Sequence, residues 1–351
     1  MNADFLVDFP GLGIHDIPVR RVAFEVFGFE VYWYGLLIAS AIVLCLILAS
    51  RHAPRYQMKS DDILDTFILI IPMSIVLARL SYVVFEWPYY AEDWRRIIEI
   101  NQGGLMFYGG VAGGVLAVVI MCRIKKIPVS RMFDFLAVYL PLGQAIGRWG
   151  NFFNQEAFGS NTRLPWGMIS NQTTFYLTRI GGYQPDQPVH PTFLYEFIGN
   201  MLIFILLLAI RRRNKTPFRV LLYYFLLYGI MRFFVEAVRT DSLYIPNTDL
   251  RVSMVISAVM VVFSLILLMV LRQRQQRNEL KRQLESDIET DETSSAPADP
   301  TDETVSESVL DRTESDAGQT RQSGGSDFVP LADNRQHRQR QGDADHRDQP
   351  N

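Results

Sequence analysis

Long apolar runs separated by short polar stretches dominate the first 274 residues of the chain. A helix needs roughly 20 predominantly apolar residues to cross a bilayer. Runs of that kind predict seven membrane spans, at 31–50, 63–85, 104–122, 132–150, 192–210, 218–238 and 252–271. The fourth and sixth are the most polar, which a polar face buried among the other helices explains. The expected fold class is all-α, a polytopic membrane protein with seven transmembrane helices.

The loops predict direction. Basic residues follow spans 1, 3, 5 and 7: Arg51, Arg55 and Lys59; Arg123, Lys125, Lys126 and Arg131; Arg211, Arg212, Arg213 and Lys215; Arg272, Arg274, Arg277, Lys281 and Arg282. The opposite loops are longer and poorer in Lys and Arg. Because positive loops stay inside, the N-terminus is expected outside and the C-terminus in the cytoplasm. Residues 1–30 then form an external N-terminal segment, without the basic start and apolar run of a cleaved signal. Residues 31–271 form the seven-helix domain, which includes an external loop, 151–191, rich in Gly, Pro, Asn and aromatics and expected to be ordered. Residues 272–351 form a cytoplasmic, mostly disordered acidic tail, in which Leu280–Ile288 can continue span 7 as a short helix.

Charge sharpens that division. Residues 1–274 carry 25 Lys/Arg against 19 Asp/Glu, and residues 275–351 carry 9 against 18. The net charge of −3 argues against nucleic acid as a partner. The 2 cysteines, Cys45 and Cys122, both fall inside predicted spans and exclude a disulfide framework or a cysteine-built zinc site. No metal is expected, since the His, Cys and carboxylate positions lack ligand spacing.

Polar groups inside spans are costly and are functional candidates by default. With the predicted orientation, Tyr34, Arg79, Tyr82, Tyr108, Gln144, Arg148, Asn151, Asn154, His190, Tyr195, Glu196, Tyr228, Arg232, Glu236 and Arg239 all fall in the outer half of the bilayer or at its surface. The inner half holds few, chiefly Asp61, Asp62, Asp65 and Asp134 near helix starts, where capping and the helix dipole account for them. A channel or transporter needs polar groups along a through-path or at the midplane. A one-sided polar cavity instead suits an enzyme or receptor whose ligand sits in the outer leaflet. Arginines within it point to an anion, most readily phosphate. In span 6, Arg232, Glu236 and Arg239 sit at i, i+4 and i+7 and are expected on one helix face, either as a charge network in the cavity or as a self-neutralising structural group. Arg79 is open to either a structural or a functional role. The glycines at 103, 104, 109, 110, 113 and 114 suit close helix packing.

From Gly147 the chain reads Gly-Arg-Trp-Gly-Asn-Phe-Phe-Asn-Gln-Glu-Ala-Phe-Gly, ending at Gly159. This stretch resembles the G-R-x-G-N-F-x-N-x-E-x-x-G signature of the prolipoprotein diacylglyceryl transferases, with every fixed position met. Trp33-Tyr34-Gly35 resembles the family's W-Y-G. Ala78-Arg79-Leu80-Ser81-Tyr82 resembles A-R-x-G-Y, with Ser81 in place of Gly. His190-Pro191-Thr192 through Tyr195-Glu196 resembles H-P-(S/T)-x-x-Y-E, and Tyr228-Gly229 with Arg232, Glu236 and Arg239 resembles Y-G-x-x-R-F-x-x-E-x-x-R. The resemblance covers about residues 20–272. Tyr108 stands where many members carry histidine.

The resemblance implies a bacterial inner-membrane enzyme of lipoprotein maturation, multi-pass, with its active site facing the outer leaflet. Its partners would be phosphatidylglycerol, the signal peptides of prolipoproteins bearing a lipobox cysteine, and the surrounding membrane lipids. No cofactor is implied. The reaction would displace glycerol 1-phosphate from a glyceryl carbon by a thiolate, leaving a thioether. It needs an ionised thiol and donors for the departing phosphate. Arg148 and Arg239 are expected to hold the phosphate, with Asn151 and Asn154 as neutral donors. Arg232 and Glu236 would position the second substrate or tune the thiol, and Tyr34 and Tyr108 would hydrogen-bond the headgroup or the thiol side. Glu156 and Glu196 are expected to orient arginines, and Gly159 and His190 complete the phosphatidylglycerol site. A phenol holds its proton too tightly to serve as a base near neutral pH, so the arginine field rather than Tyr108 is expected to ionise the thiol.

Overall fold

A computed structural model describes residues 3–99, 103–214 and 216–294. Five short strands precede or interrupt the helices, which corrects the all-α expectation. Strand β1 (Phe5–Phe9) pairs antiparallel with β2 (Ile14–Val19), Phe5 opposite Val19. A separate hairpin joins β3 (Val22–Val26) to β4 (Phe29–Tyr32) through Phe27 and Gly28, both at positive φ, as a two-residue turn between right-twisted strands demands. The cause is a period-two pattern that the search for apolar runs passes over: Phe5 and Val7 are buried while Leu6 faces out.

The helices follow. They are α1 (Trp33–His52), α2 (Ser60–Phe85), α3 (Trp87–Ala91), α4 (Phe107–Lys125), α5 (Val129–Ala137) and α6 (Tyr139–Asn154). Beyond the two-residue strand β5 (Ile169–Ser170) come α7 (Asn171–Ile180), α8 (Thr192–Arg213), α9 (Arg219–Val238) and α10 (Val252–Ser294). Strand β5 pairs with β1, Ser170 opposite Val7, so the N-terminal segment is sewn to the 151–191 loop, which is ordered. Buried Phe5, Val7, Val19, Phe158, Met168, Leu177, Val189 and Phe193 pack that junction.

Among the described residues, six helices are long and apolar enough to cross a membrane: α1, α2, α4, α8, α9 and α10. The predicted fourth span appears as two consecutive helices, α5 and α6. Val138 between them keeps α-helical torsions, φ −66° and ψ −32°. Pro141 accounts for the break, because it has no N–H for the carbonyl of Ala137 and its ring crowds that carbonyl. The seventh predicted span does not stop near 271. Helix α10 continues to Ser294 and takes in Leu280–Ile288, the stretch expected to extend span 7 as a short helix. That stretch holds Gln, Arg, Glu, Lys and Leu and neither Gly nor Pro, so nothing in it terminates a helix. The tail beyond Ser294 lies outside the described residues.

Burial is inverted relative to a water-soluble protein. Ile68, Leu202 and Phe234 are 60%, 62% and 68% exposed, while Glu196, Asn200 and Glu236 are buried. That arrangement suits a bundle whose surroundings are apolar. Helix α6 packs against α1 and α8, and α9 packs against α8, which brings the polar ends of α6, α8 and α9 together. Helices α2 and α4 meet through glycine: a Cβ at Gly109 would lie 2.6 Å from the carbonyl oxygen of Leu77. Close packing therefore explains the α4 glycines that face α2.

Candidate active site

Glu196, in the first turns of α8, is the centre of the site. Its carboxylate is 1% exposed, and three arginines from two other segments converge on it. Arg148 of α6 places Nε 3.0 Å from Oε2. Arg232 of α9 places Nη1 3.1 Å from Oε1, and Arg239 places Nη1 3.6 Å from the same oxygen. A buried carboxylate with this many cations holds them in fixed directions, since each partner would otherwise be an unpaired buried charge.

Arg232 also pairs with Glu236 one turn on, at 2.6 Å. Arg239 does not share their helix face, as the spacing had predicted. Helix α9 ends at Val238, and Arg239 has extended torsions, φ −70° and ψ 147°. Its backbone pairs with Gly159, and only its side chain turns back to Glu196. The guanidinium is also gripped in bidentate fashion by Asp241, Nε to Oδ1 at 2.9 Å and Nη2 to Oδ2 at 2.7 Å. The sequence reading missed Asp241. It lies two residues beyond Arg239 and outside every predicted span, so hydropathy gave it no weight. Arg251, also missed, donates Nη1–H to the carbonyl oxygen of Glu236.

The signature stretch contributes a second layer. Arg148 donates Nη1–H to Asn151 Oδ1 at 3.2 Å. Asn151 and Asn154 each donate Nδ2–H to Glu156 Oε1, at 3.0 and 3.3 Å. Glu156 thus acts on Arg148 through Asn151 and touches no arginine directly among the hydrogen bonds of the described residues. Gln155, between them, caps the end of α6 with left-handed torsions, φ 51°. Tyr34, at the start of α1, lies on Gly150: a Cβ there would sit 2.6 Å from its Cδ2. Trp33 beside it stacks on Phe153, ring centroids 4.8 Å apart.

Gly159 and His190 form the floor where three chain segments cross. Gly159 donates its N–H to the carbonyl of His190 at 2.9 Å, and a Cβ on Gly159 would lie 2.7 Å from the His190 Cβ. Only glycine lets these segments approach so closely. Tyr195 accepts a hydrogen bond from Trp166 Nε1–H at 2.9 Å and lies 3.0 Å from His190 Nδ1. With its oxygen already accepting, the Tyr195 hydroxyl is placed to donate to a neutral His190, whose burial pushes its pKa below the usual imidazole range. Trp166 is a third residue that sequence reasoning missed.

Two candidates stand apart. Tyr108 opens α4, is 56% exposed, and meets the ring of Phe107 at 5.5 Å. None of the hydrogen bonds of the described residues joins it to the arginine cluster. Arg79 is structural: its guanidinium donates to five backbone carbonyls, those of Ile97, Gly103, Gly104, Arg96 and Glu99, at 2.6–2.9 Å. It clamps the segment between α3 and α4 onto α2. Gly104, at φ +76°, sits where a side chain would collide with that guanidinium. Among the described residues no group of His, Cys and carboxylate side chains could hold a metal ion.

The comparisons agree with the residue pattern. The family described as Prolipoprotein diacylglyceryl transferase matches residues 21–270. A phosphatidylglycerol–prolipoprotein diacylglyceryl transferase of Finegoldia magna is 42% identical over 248 residues, covering 70% of this chain and 94% of the relative. The protein of that name from Clostridioides difficile is 42% identical over 258 residues, 74% of this chain and 98% of its own. That of Listeria innocua is 42% identical over 248 residues, 71% and 88% respectively. The matched region contains every residue of the Glu196 cluster, and on these matches the chain belongs to the prolipoprotein diacylglyceryl transferase family.

Proposed function

We propose that the chain transfers the diacylglyceryl group of phosphatidylglycerol to the lipobox cysteine of a prolipoprotein, forming a thioether and releasing glycerol 1-phosphate. The observation that carries this reading is the set of three arginines held on one buried carboxylate, Glu196. In the reaction the thiol releases its proton to solvent and sulfur attacks the glyceryl carbon. The carbon–oxygen bond to phosphate breaks, and its electron pair stays on the phosphate. The balance closes without an oxidant, a reductant or a cofactor.

The negative charge that develops on the phosphate needs donors already in place. Arg148 and Arg239 supply them. Asp241 grips Arg239 in the two-pronged geometry that a phosphate would take, and its side chain is 34% exposed. The phosphate displaces Asp241, which swings into water, while Glu196 keeps the cations aligned. Asn151 and Asn154 each retain a second N–H for the headgroup, with Glu156 fixing their direction. Gly159 and His190 shape the headgroup side. Tyr34 hydrogen-bonds the headgroup and Tyr108 lies on the thiol side. Arg232, with Glu236, positions the prolipoprotein cysteine and supports its thiolate; a positive field lowers a thiol's pKa.

The membrane reading belongs with this proposal. Helices α5 and α6 together supply the seventh crossing: residues 129–154, at 1.5 Å per residue, reach about 39 Å, enough for a hydrocarbon core of about 30 Å. The N-terminus lies outside and the C-terminus in the cytoplasm, with the Glu196 site in the outer leaflet of a bacterial inner membrane. The acidic tail beyond Leu284 is dispensable for turnover. The test is conversion of labelled phosphatidylglycerol and a lipobox peptide by the purified protein in detergent. Thioether product and glycerol 1-phosphate in equal amounts support the reading, and lipid binding or uptake without product overturns it.

A further inference from the structure

A second polar cavity lies at the other end of the bundle, and nothing in the transferase chemistry uses it. Helix α8 carries Glu196 near its start and Arg211 in its last turn, about 22 Å apart along the helix axis. Around Arg211 opens a cavity of about 640 Å³, within the size range of small-ligand sites. Arg55, Arg131 and Arg211 line it with Tyr56 and Phe135, and among the described residues its one carboxylate is Asp134.

The charges do not cancel. Asp134 Oδ1 accepts the N–H of Leu221 at 2.9 Å, so this carboxylate caps the start of α9. Among the described residues no carboxylate lies within ion-pair distance of Arg211, Arg55 or Arg131. Arg211 is 5% exposed, so its cation is almost wholly removed from water. Its Nη1 donates to the carbonyl of Phe135 and the hydroxyl of Tyr139, both at 3.2 Å. Its Nε–H is buried without any hydrogen-bond partner. The rings of Tyr56, Phe135 and Tyr139 lie 4.5–5.2 Å from the guanidinium carbon and hold the plane in place. A buried arginine with a spare donor and no counter-ion is an unfinished anion site.

We propose that this cavity binds a phosphate group, with Arg211 at its base and Arg55 and Arg131 at its rim. The shared chemistry is a phosphate monoester or diester, either a phospholipid headgroup from the leaflet at this end or a soluble phosphate. Arginine suits phosphate by its planar fork, and basic pockets between membrane helices favour anionic headgroups. Arg55 and Arg131 are exposed, so substituting them leaves the packing untouched. The site stands independently of the transferase reading, since none of its residues touches the Glu196 cluster.

The test uses the full chain and hydrogen–deuterium exchange of residues 55–58, 128–134 and 216–221. The probes are nanodiscs of phosphatidylcholine with and without phosphatidic acid, and, in uncharged detergent, inorganic phosphate. Phosphatidic acid is expected to protect these segments, and the R55Q/R131Q double variant to weaken half-saturation by about tenfold per arginine. Protection by phosphatidic acid alone assigns a lipid headgroup. Protection by inorganic phosphate as well assigns a site open to soluble phosphates. No protection by either probe overturns the proposal, as does equal protection in the double variant. An R211M variant that folds with the wild-type unfolding temperature and still shows full protection overturns it too.

Discussion

Replacing Glu196 with glutamine tests the centre of the site at almost constant shape. The substitution removes one negative charge from a position 1% exposed, with arginine nitrogens at 3.0, 3.1 and 3.6 Å. Removing one partner of a buried ion pair costs about 3–5 kcal/mol, because the charges left behind are no longer compensated. Arg232 keeps Glu236 at 2.6 Å and Arg239 keeps Asp241, so the largest loss falls on Arg148. Among the described residues its remaining hydrogen-bond partner is the neutral Asn151. Glu196→Gln is therefore expected to lower stability by about 3 kcal/mol. Turnover is expected to fall by about a hundredfold or more, the scale of losing one preorganised donor to a developing oxyanion. Glu236→Gln, which touches Arg232 alone among these arginines, is expected to do less on both counts. The assay pairs unfolding in detergent with single-turnover transfer from labelled phosphatidylglycerol at saturating lipid, so that weaker binding and slower chemistry separate. A Glu196→Gln protein with wild-type turnover, or one damaged less than Glu236→Gln, would refute the assignment of Glu196 as the anchor of the arginines.

Four further outcomes are expected. Arg148→Lys should fold and insert yet retain at most about a hundredth of the turnover, because an ammonium cannot meet both Glu196 and a phosphate with a planar fork; wild-type rates for the lysine variant would remove the bidentate role. Tyr108→Phe should cost no more than about tenfold in turnover and nothing in stability, since the residue is exposed and no hydrogen bond of the described residues holds its hydroxyl; a folded variant without product would make that hydroxyl part of the chemistry. Gly150→Ala should push the Tyr34 ring aside, a move its 38% exposure permits, so turnover should drop while the melting temperature changes by less than overpacking a closed core, about 1–3 kcal/mol, would cause; unchanged turnover would count against Tyr34. Burial lowers the His190 pKa, so the folded state resists a proton that the unfolded chain accepts at about 6.5; stability should fall as pH drops below that value in the wild type and less in His190→Gln, and parallel melting curves would dismiss the coupling.

The sequence by itself determined the membrane class, five of the spans to within a few residues and the start of a sixth at Val252, and the family. Hydropathy over about 20 residues is a local property, and the bilayer demands it of each helix separately. The list of candidate residues was also local, because a charged residue inside an apolar run stands out without knowledge of its neighbours. Only the tertiary structure decided which of them meet. Arg232 and Glu196 lie 36 positions apart and are joined by the packing of α9 on α8, a contact that no window of sequence contains. Packing likewise made Arg79 a clamp on five carbonyls and left Tyr108 exposed. The strands escaped notice because their pattern repeats every two residues across a few positions, and β1 takes one of its partners from 163 residues away, Val7 on Ser170. The helix face assigned to Arg239 was wrong because α9 ends one residue before the spacing argument assumed it would. A helix end is decided by what the next segment can bond to, here Gly159 and the chain beside His190, and so it belongs to the fold rather than to the helix.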